Sequence, residues 1–363
     1  MTSENRDILL QLLDRHRALG ISEQIDYDKF YLYSIIVHST AIEGSTVTEV
    51  EAQLLFDEGI TSSKRTMLEQ QMNLDLKVAY EYGREWIRRH EPITVDWLIT
   101  LASKVMARTG SEYSAIGGNF SAAKGELRKL NVAQSESRRN LFIMPSQSNV
   151  SEANVSAGIG GKSYMSYLKV PERLAAFCEE LDSRRKAVDP TDICAVFDLS
   201  FWAHYELVTI HPWADGNGRT SRLLMNLLQM EFGVLPTKVL IEDKATYIQA
   251  LIDTREAEDI AIFQNCMASL HIQHLKSDID QYLNSTAETT QKDRKATQKT
   301  LTATQKAILD YLKEHPKATR QEVAEALGNI TEDGIKYHFS HLQKMGYLKR
   351  EGGRKLGWWM VTD

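Results

Sequence analysis

Between residues 211 and 222 the chain reads His-Pro-Trp-Ala-Asp-Gly-Asn-Gly-Arg-Thr-Ser-Arg. His211 titrates near neutrality and can accept the proton of a Tyr, Thr or Ser hydroxyl. Asp215 is a hard oxygen ligand suited to Mg²⁺, an ion that keeps several waters and binds through few protein groups. Gly216, Asn217 and Gly218 form a glycine-flanked turn whose backbone N–H groups can face phosphate oxygens. Glycine is needed there because side chains would keep backbone and phosphate apart. An apolar helical run, Leu223 to Phe232, follows at once, so the turn opens a helix whose N-terminus favours an anion. Arg219 and Arg222, three apart on one helix face, can clamp outer phosphates, and Thr220 and Ser221 complete the phosphate-binding set. A polar loop that merely caps a buried helix would not need so many specified positions at one spacing.

The stretch resembles the Fic signature, His-x-Phe-x-Asp/Glu-Gly-Asn-Gly/Lys-Arg-x-x-Arg, and departs from it only at Trp213, where the aromatic is expected to face the core. The resemblance implies transfer of AMP from ATP to a hydroxyl of a target protein, with pyrophosphate released and Mg²⁺ held by Asp215 between the α- and β-phosphates. It implies the phosphate cradle of Gly216, Asn217, Gly218, Arg219 and Arg222. Glycine at 218, where some relatives carry lysine, favours nucleotidyl transfer over phosphorylation. Tyr247 lies where relatives place a tyrosine near the nucleotide base; a tyrosine on a helix can equally be core packing. Residues 127–145 match the family's flap, a hairpin that holds the target segment by strand addition.

A second motif, Ser39-Thr40-Ala41-Ile42-Glu43-Gly44, matches the family's inhibitory helix, Ser/Thr-x-x-x-Glu-Gly/Asn. Ser39 and Glu43 share one helix face, beside the apolar side formed by Ile35, His38 and Ile42, and Gly44 ends the helix. In relatives this glutamate pairs with the second arginine, here Arg222, and admits ATP only in an unproductive pose. Some relatives also remove AMP with the same glutamate.

These motifs must be held by helices. The expected class is mainly α: a Fic-type helical bundle with a small β-hairpin flap, followed by a C-terminal winged helix. Apolar stripes at helical spacing (Ile8, Leu9, Leu12, Leu13; Tyr27, Phe30, Tyr31, Ile35) mark an N-terminal helical region, 1–92, containing a long helix from about 64 to 89 halted by Pro92. The catalytic segment is expected over 93–283, with helices at 171–186, 190–209, 244–255 and 258–283. Pro212 ends the helix before the motif and should keep His211 extended. Residues 284–300 lack any large apolar side chain and read as a solvated linker or a frayed helix extension. The tail, 301–363, reads as helices at 304–314, 319–327 and 331–345 and a hairpin turning at Gly352-Gly353, the pattern of a winged helix-turn-helix.

Composition sets the remaining bounds. With 42% hydrophobic and 25% charged residues the chain is of ordinary globular type. The start, Met1 to Arg6, lacks a basic segment followed by an apolar one, and no uninterrupted apolar run reaches the length of a membrane span, so the expected location is cytoplasmic and no membrane partner is implied. Cys178, Cys194 and Cys266 are odd in number and widely spaced, which fits reduced thiols and no zinc site. The net charge of −6 is uneven: residues 285–363 carry 14 Lys and Arg against 10 Asp and Glu, so an acidic body precedes a mildly basic tail.

The implied partners are ATP and a hydroxyl-bearing protein, with a homodimer open. DNA is the further candidate for 301–363. Lys336, Lys349, Arg350, Arg354 and Lys355 suit a duplex, but Glu332 and Asp333 occupy the start of the third helix, which favours protein docking or dimerisation over DNA. The rival class is therefore a DNA-binding transcriptional regulator whose Fic domain modifies itself or senses nucleotide. Ser156 to Ser163 imitate a P-loop but carry serine where the first glycine is required. His204 reads as a packed, hydrogen-bonded histidine, and Trp358-Trp359 as closing the tail's core.

Overall fold

The computed structural model describes residues 1–24, 26–115, 117–131, 164–296, 301, 303–328, 330–344, 346–352 and 357–362. It divides into two units, Met1–Tyr282 and Leu283–Asp363.

The first unit begins with α1 (Ser3–Ala18), α2 (Tyr27–Ile42), α3 (Glu49–Glu58) and α4 (Met67–Arg88). Sequence-encoded caps start these helices. Thr48 with Glu51 and Thr66 with Glu69 form complete capping boxes on α3 and α4, each meeting two N–H groups that the helix leaves unpaired. After α5 (Val95–Val105), a two-residue ladder pairs β1 (Glu112–Tyr113) with β2 (Phe120–Ser121), antiparallel. Then come α6 (Val170–Ala187), α7 (Ile193–Ile210), α8 (Asn217–Glu231), α9 (Lys244–Ala257) and α10 (Ile260–Ala296).

The core is built around α7 and α8. Every residue of α8 from Arg219 to Gln229 is buried. α7 is long and apolar enough to cross a membrane by composition, but two-thirds of it is buried among its neighbours, as in a core helix. Side chains of α4 and α5 (Leu76, Ala79, Tyr80, Trp97, Leu101) share one cluster with α7 and α8 (Leu207, Ile210, Leu223, Leu227). Gly83 lets α4 approach closely, since a Cβ there would lie 2.3 Å from Leu227 Cδ1. A buried polar network fixes the rotation of α8: Tyr80 O–H donates to Asn226 Oδ1 (2.7 Å), Asn226 Nδ2 to the Thr237 carbonyl (2.8 Å), and Gln229 Nε2 to Ser200 Oγ (2.9 Å). A buried network specifies one packing arrangement only when its groups find partners.

The second unit holds α11 (Ala303–Glu314), α12 (Arg320–Leu327), α13 (Glu332–Lys344) and an antiparallel pair, β3 (Leu348–Glu351) with β4 (Trp358–Val361). Its core joins Ile308, Leu312, Val323, Ile335, Phe339 and Trp359. The two tryptophans separate in role. Trp359 is buried with its ring edge-on to Phe339 at 4.7 Å, whereas Trp358 is 43% exposed, because adjacent strand residues face opposite sides.

The helical pattern follows the expectation with small shifts of boundary. Residues 284–296 continue α10, the helix extension that the sequence offered beside a linker; Ala, Glu, Gln and Lys are good helix formers. The expected flap at 127–145 lies outside the described residues from position 132 onward, as do the P-loop-like segment and the side chains of Asp333, Arg354 and Lys355.

Candidate active site

The site forms where α7 ends and α8 begins. His211 is the C-cap of α7, its N–H bonded to the Leu207 carbonyl at 3.1 Å. Pro212 does bar His211 from the helical region, but the backbone becomes left-handed (φ 54°, ψ 60°) rather than extended. A non-glycine residue held there is strained and must be kept in place by its surroundings. The His211 ring lies against Tyr164, with ring centroids 3.7 Å apart. Burial and the nearby Arg128 charge lower its pKa to about 3, so the imidazole is neutral near pH 7.

The loop to α8 is braced from within. Asn217 donates from Nδ2 to the Trp213 carbonyl (2.8 Å) and accepts from the Trp213 N–H at Oδ1 (3.0 Å), so its side chain closes the loop and its backbone faces the site. Trp213 is buried, as its aromatic type implied, and its indole N–H bonds the Gly125 carbonyl at 2.9 Å. Gly216 has φ +80°, and a Cβ there would meet Met106 Sδ at 2.8 Å. Met106 is held by the turn after α5, where buried Asp75 accepts from the Arg108 backbone N–H and guanidinium, both at 2.7 Å.

Asp215 is half-exposed, and its Oδ1 accepts the Gly216 N–H at 2.5 Å. Arg219 is buried, with Nη2 3.0 Å from Met106 Sδ and 3.6 Å from Asp215 Oδ1. Its Nε and Nη1 have no hydrogen-bond partner among the described residues. Buried guanidinium donors left in that state favour an anionic acceptor. Thr220 and Ser221 are fully buried, and their hydroxyls, like the Arg219 donors, have no hydrogen-bond partner among the described residues.

Arg222 is the point where the two motifs meet. Its Nε donates to Ser39 Oγ (2.9 Å), and its Nη2 to the Ser39 carbonyl (3.0 Å) and to Glu43 Oε1 (2.6 Å). Burial pushes the Glu43 pKa up, but Arg222, Arg219 and Lys244 outweigh it and hold the carboxyl below its ordinary value. The carboxylate also crowds the first turn of α8, since a Cβ on Gly218 would lie 2.7 Å from Glu43 Oε1. The end of α2 is tied down on both sides. Lys244 Nζ donates to the Ile42 carbonyl at 2.6 Å, and Thr40 reaches Asn73 Oδ1 at 3.0 Å. Gly44, at φ +103°, turns the chain away immediately after Glu43.

A family model of the Fic/DOC family matches residues 92–229, and one described as winged helix-turn-helix DNA-binding matches 301–349. The chain carries a Fic domain. Relatives include the Protein adenylyltransferase Fic of Nematostella vectensis, 27% identical over 252 residues covering 69% of this chain and 48% of the relative. The Protein adenylyltransferase fic-1 of Caenorhabditis elegans is 24% identical over 227 residues, 62% of this chain and 36% of the relative. The chain thus spans between about a third and a half of the length of these curated relatives. Among solved structures, a Fic domain containing signaling protein from Bacteroides thetaiotaomicron aligns with TM-score 0.55 at 21% identity, covering 75% of this chain and 96% of that one. A Fic family protein from Desulfovibrio desulfuricans G20 aligns with TM-score 0.58 at 16% identity, covering 100% and 97%. These last two show a shared fold.

Lys244 and Arg128 escaped the sequence reading, which did single out Tyr247. Tyr247 is 1% exposed, paired with His204 Nε2 at 3.0 Å and hydrogen-bonded to Arg222. That burial fits the core packing left open for Tyr247, and His204 is the packed histidine expected. Lys244, one turn earlier, carried no recognisable pattern. Arg128 is 1% exposed and, among the described residues, donates to carbonyls: His211 through Nε (2.7 Å), Leu130 through Nη1 (2.9 Å) and Met165 through Nη2 (2.6 Å). Its own N–H bonds the Pro212 carbonyl at 2.9 Å. One side chain thus joins the strained backbone at His211 to residues on both sides of segment 132–163. Replacing Arg128 by leucine should lower kcat about 100-fold, the scale of a base displaced by an ångström, while KM for ATP changes little. Thermal melts should show a loss of about 1–3 kcal/mol from unmatched carbonyls, and Arg128→Lys should recover part of both.

Proposed function

We propose that the chain is a protein adenylyltransferase held at rest by its own N-terminal helix. The observation that carries the reading is the 2.6 Å pair between Glu43 and Arg222, set in the first half of α8 and within the same site as a neutral, half-buried His211. His211 takes the proton of a Tyr, Thr or Ser hydroxyl on a target protein or on the chain itself. The resulting oxygen attacks the α-phosphorus of ATP, a P–O bond forms to AMP, and pyrophosphate leaves with the electron pair of the broken bond. The unpaired N–H groups at the start of α8 and the orphan donors of Arg219 stabilise charge that grows on phosphate oxygens. Arg222 serves the outer phosphates once Glu43 withdraws.

Asp215 fits Mg²⁺ as far as its surroundings go: it is half-exposed and keeps one carboxylate oxygen beyond its bond to Gly216. A Mg²⁺ ion shared between a single carboxylate and substrate phosphates needs no further protein ligand. Bound there, Mg²⁺ would neutralise phosphate charge and orient the leaving group.

In the winged helix, Lys349 pairs with Glu351 at 3.1 Å and the Arg350 guanidinium sits 4.9 Å from the Trp359 ring centroid. Two of the basic groups that a duplex would use are thus already engaged, and docking of protein remains the favoured role for this unit.

Incubation with ATP labelled at either phosphate distinguishes the chemistry. Label from the α-phosphate should appear on protein, and label from the γ-phosphate should not. The reverse pattern would overturn nucleotidyl transfer in favour of phosphorylation.

A further inference from the structure

A cavity of about 680 Å³ lies at the opposite end of α2 from Glu43, bounded by the first turns of that helix, by α1, and by the C-terminal ends of α4 and α8. This falls within the range of small-molecule sites, about 300–1,000 Å³. Its chemistry is divided. Tyr27 and Tyr31 form part of the wall, stacked at 5.5 Å, and both phenol hydroxyls are already engaged, one with His16 Nε2 (3.1 Å) and one with the Pro236 carbonyl (2.7 Å). They therefore offer carbon surface rather than hydrogen bonds. Arg17, Arg84 and Arg88 also line it, against a single lining carboxylate, Asp28. Arg17 and Arg88 make exposed pairs with Asp14 and Glu85, while Arg84 has no ion pair among the described residues.

We infer that this cavity is an effector site for an organic anion with a planar apolar body, and that filling it strengthens the grip of Glu43 on Arg222. The connection is α2 itself. It runs from Tyr27 to Ile42 without glycine or proline, and Glu43 caps it. Tyr31, in the cavity wall, is fastened by its hydroxyl to Pro236, so a ligand packed on this wall stabilises the whole helix in its present seat. The cavity belongs to the conformation in which Glu43 is docked, and a ligand favours whichever conformation offers it the better site. Linkage then makes the ligand a repressor of the site it never touches.

The test uses the full chain and 8-anilinonaphthalene-1-sulfonate, a planar apolar anion, in calorimetric titration. One molecule should bind per chain, and Arg84→Glu should weaken binding about tenfold or more, with Arg84→Gln as a milder variant should the reversal unfold the protein; unchanged affinity in a folded variant overturns the site. At saturation, amide exchange over residues 39–45 should slow about fivefold or more, the lower end of ordinary coupling between sites. Unchanged exchange overturns the connection through α2. The activity arm rests on the adenylyltransferase reading: labelling by the native chain should fall about fivefold, and labelling by Glu43→Gly should not change. An equal fall in both places the compound in the nucleotide site and overturns the proposal. Absence of label in every sample counts against the adenylyltransferase reading alone, because binding and exchange are measured without turnover.

Discussion

Glu43→Gly should raise transfer of α-phosphate label by one to two orders of magnitude. The substitution removes a charge-assisted hydrogen bond of 2.6 Å, a contact worth about 1.5–3 kcal/mol, and each 1.4 kcal/mol is about tenfold in an equilibrium. Ser39 and Tyr247 still hold the far side of Arg222, so the guanidinium should stay in place while its outer edge opens to phosphate. The folded chain also loses the partner of a buried charge, and the variant should melt at a lower temperature than the native protein. ATP should restore more of that loss in the variant than in the native chain, since phosphate would occupy the role that glutamate gave up. Acidification is not an equivalent release. The Glu43 pKa lies below its ordinary value, so its contribution is complete above the usual carboxylate range and fades only as pH falls through the lowered value. Equal labelling by variant and native chain at saturating ATP would remove the inhibitory role.

His211→Ala, made in the Glu43→Gly background so that the loss can be measured, should reduce labelling about 10²- to 10⁴-fold, the usual contribution of a general base. ATP binding should persist, because the phosphate donors belong to α8. The pH profile carries a further signature of the same group. With its pKa lowered to about 3, His211 does not become protonated near the ordinary histidine value. kcat/KM should therefore keep its value between about pH 5 and 8 with no acid limb near 6.5, and the activity should fail only as pH drops through the lowered value. A limb at 6.5 that vanishes in the alanine variant would mean that the imidazole is solvated in the working enzyme.

Much of this arrangement was legible in sequence because its parts are local. The cradle at 216–218, the two arginines three apart, and Ser39 with Glu43 four apart are spacing rules of a single turn or helix, and caps such as Thr66 with Glu69 are equally short-range. What escaped was decided by packing at long range. The full burial of Thr220 and Ser221 follows from the rotation of α8, fixed by Tyr80, Asn226 and Gln229, which no local spacing specifies. Tyr247 is suggested as a base contact by the resemblance alone, because helical spacing does not tell which surface of a tyrosine is covered. Arg128 gave no signal at all, since its partners are backbone carbonyls, and a carbonyl leaves no trace in residue identity. The two-residue ladder of β1 and β2 is too short for alternation to register.

The crowding of Gly218 by Glu43 has a consequence for how such a chain can change over time. While the glutamate is seated, a methyl group at 218 would lie 2.7 Å from its carboxylate, so a side chain there requires the carboxylate to shift. A larger residue at 218 would unseat the brake before it altered which phosphate is transferred. Loss of the glutamate, in turn, would free 218 to explore new side chains. Two sites far apart in the sequence are therefore coupled in one direction: the glutamate can be lost with the glycine kept, but a side chain at 218 disturbs the glutamate.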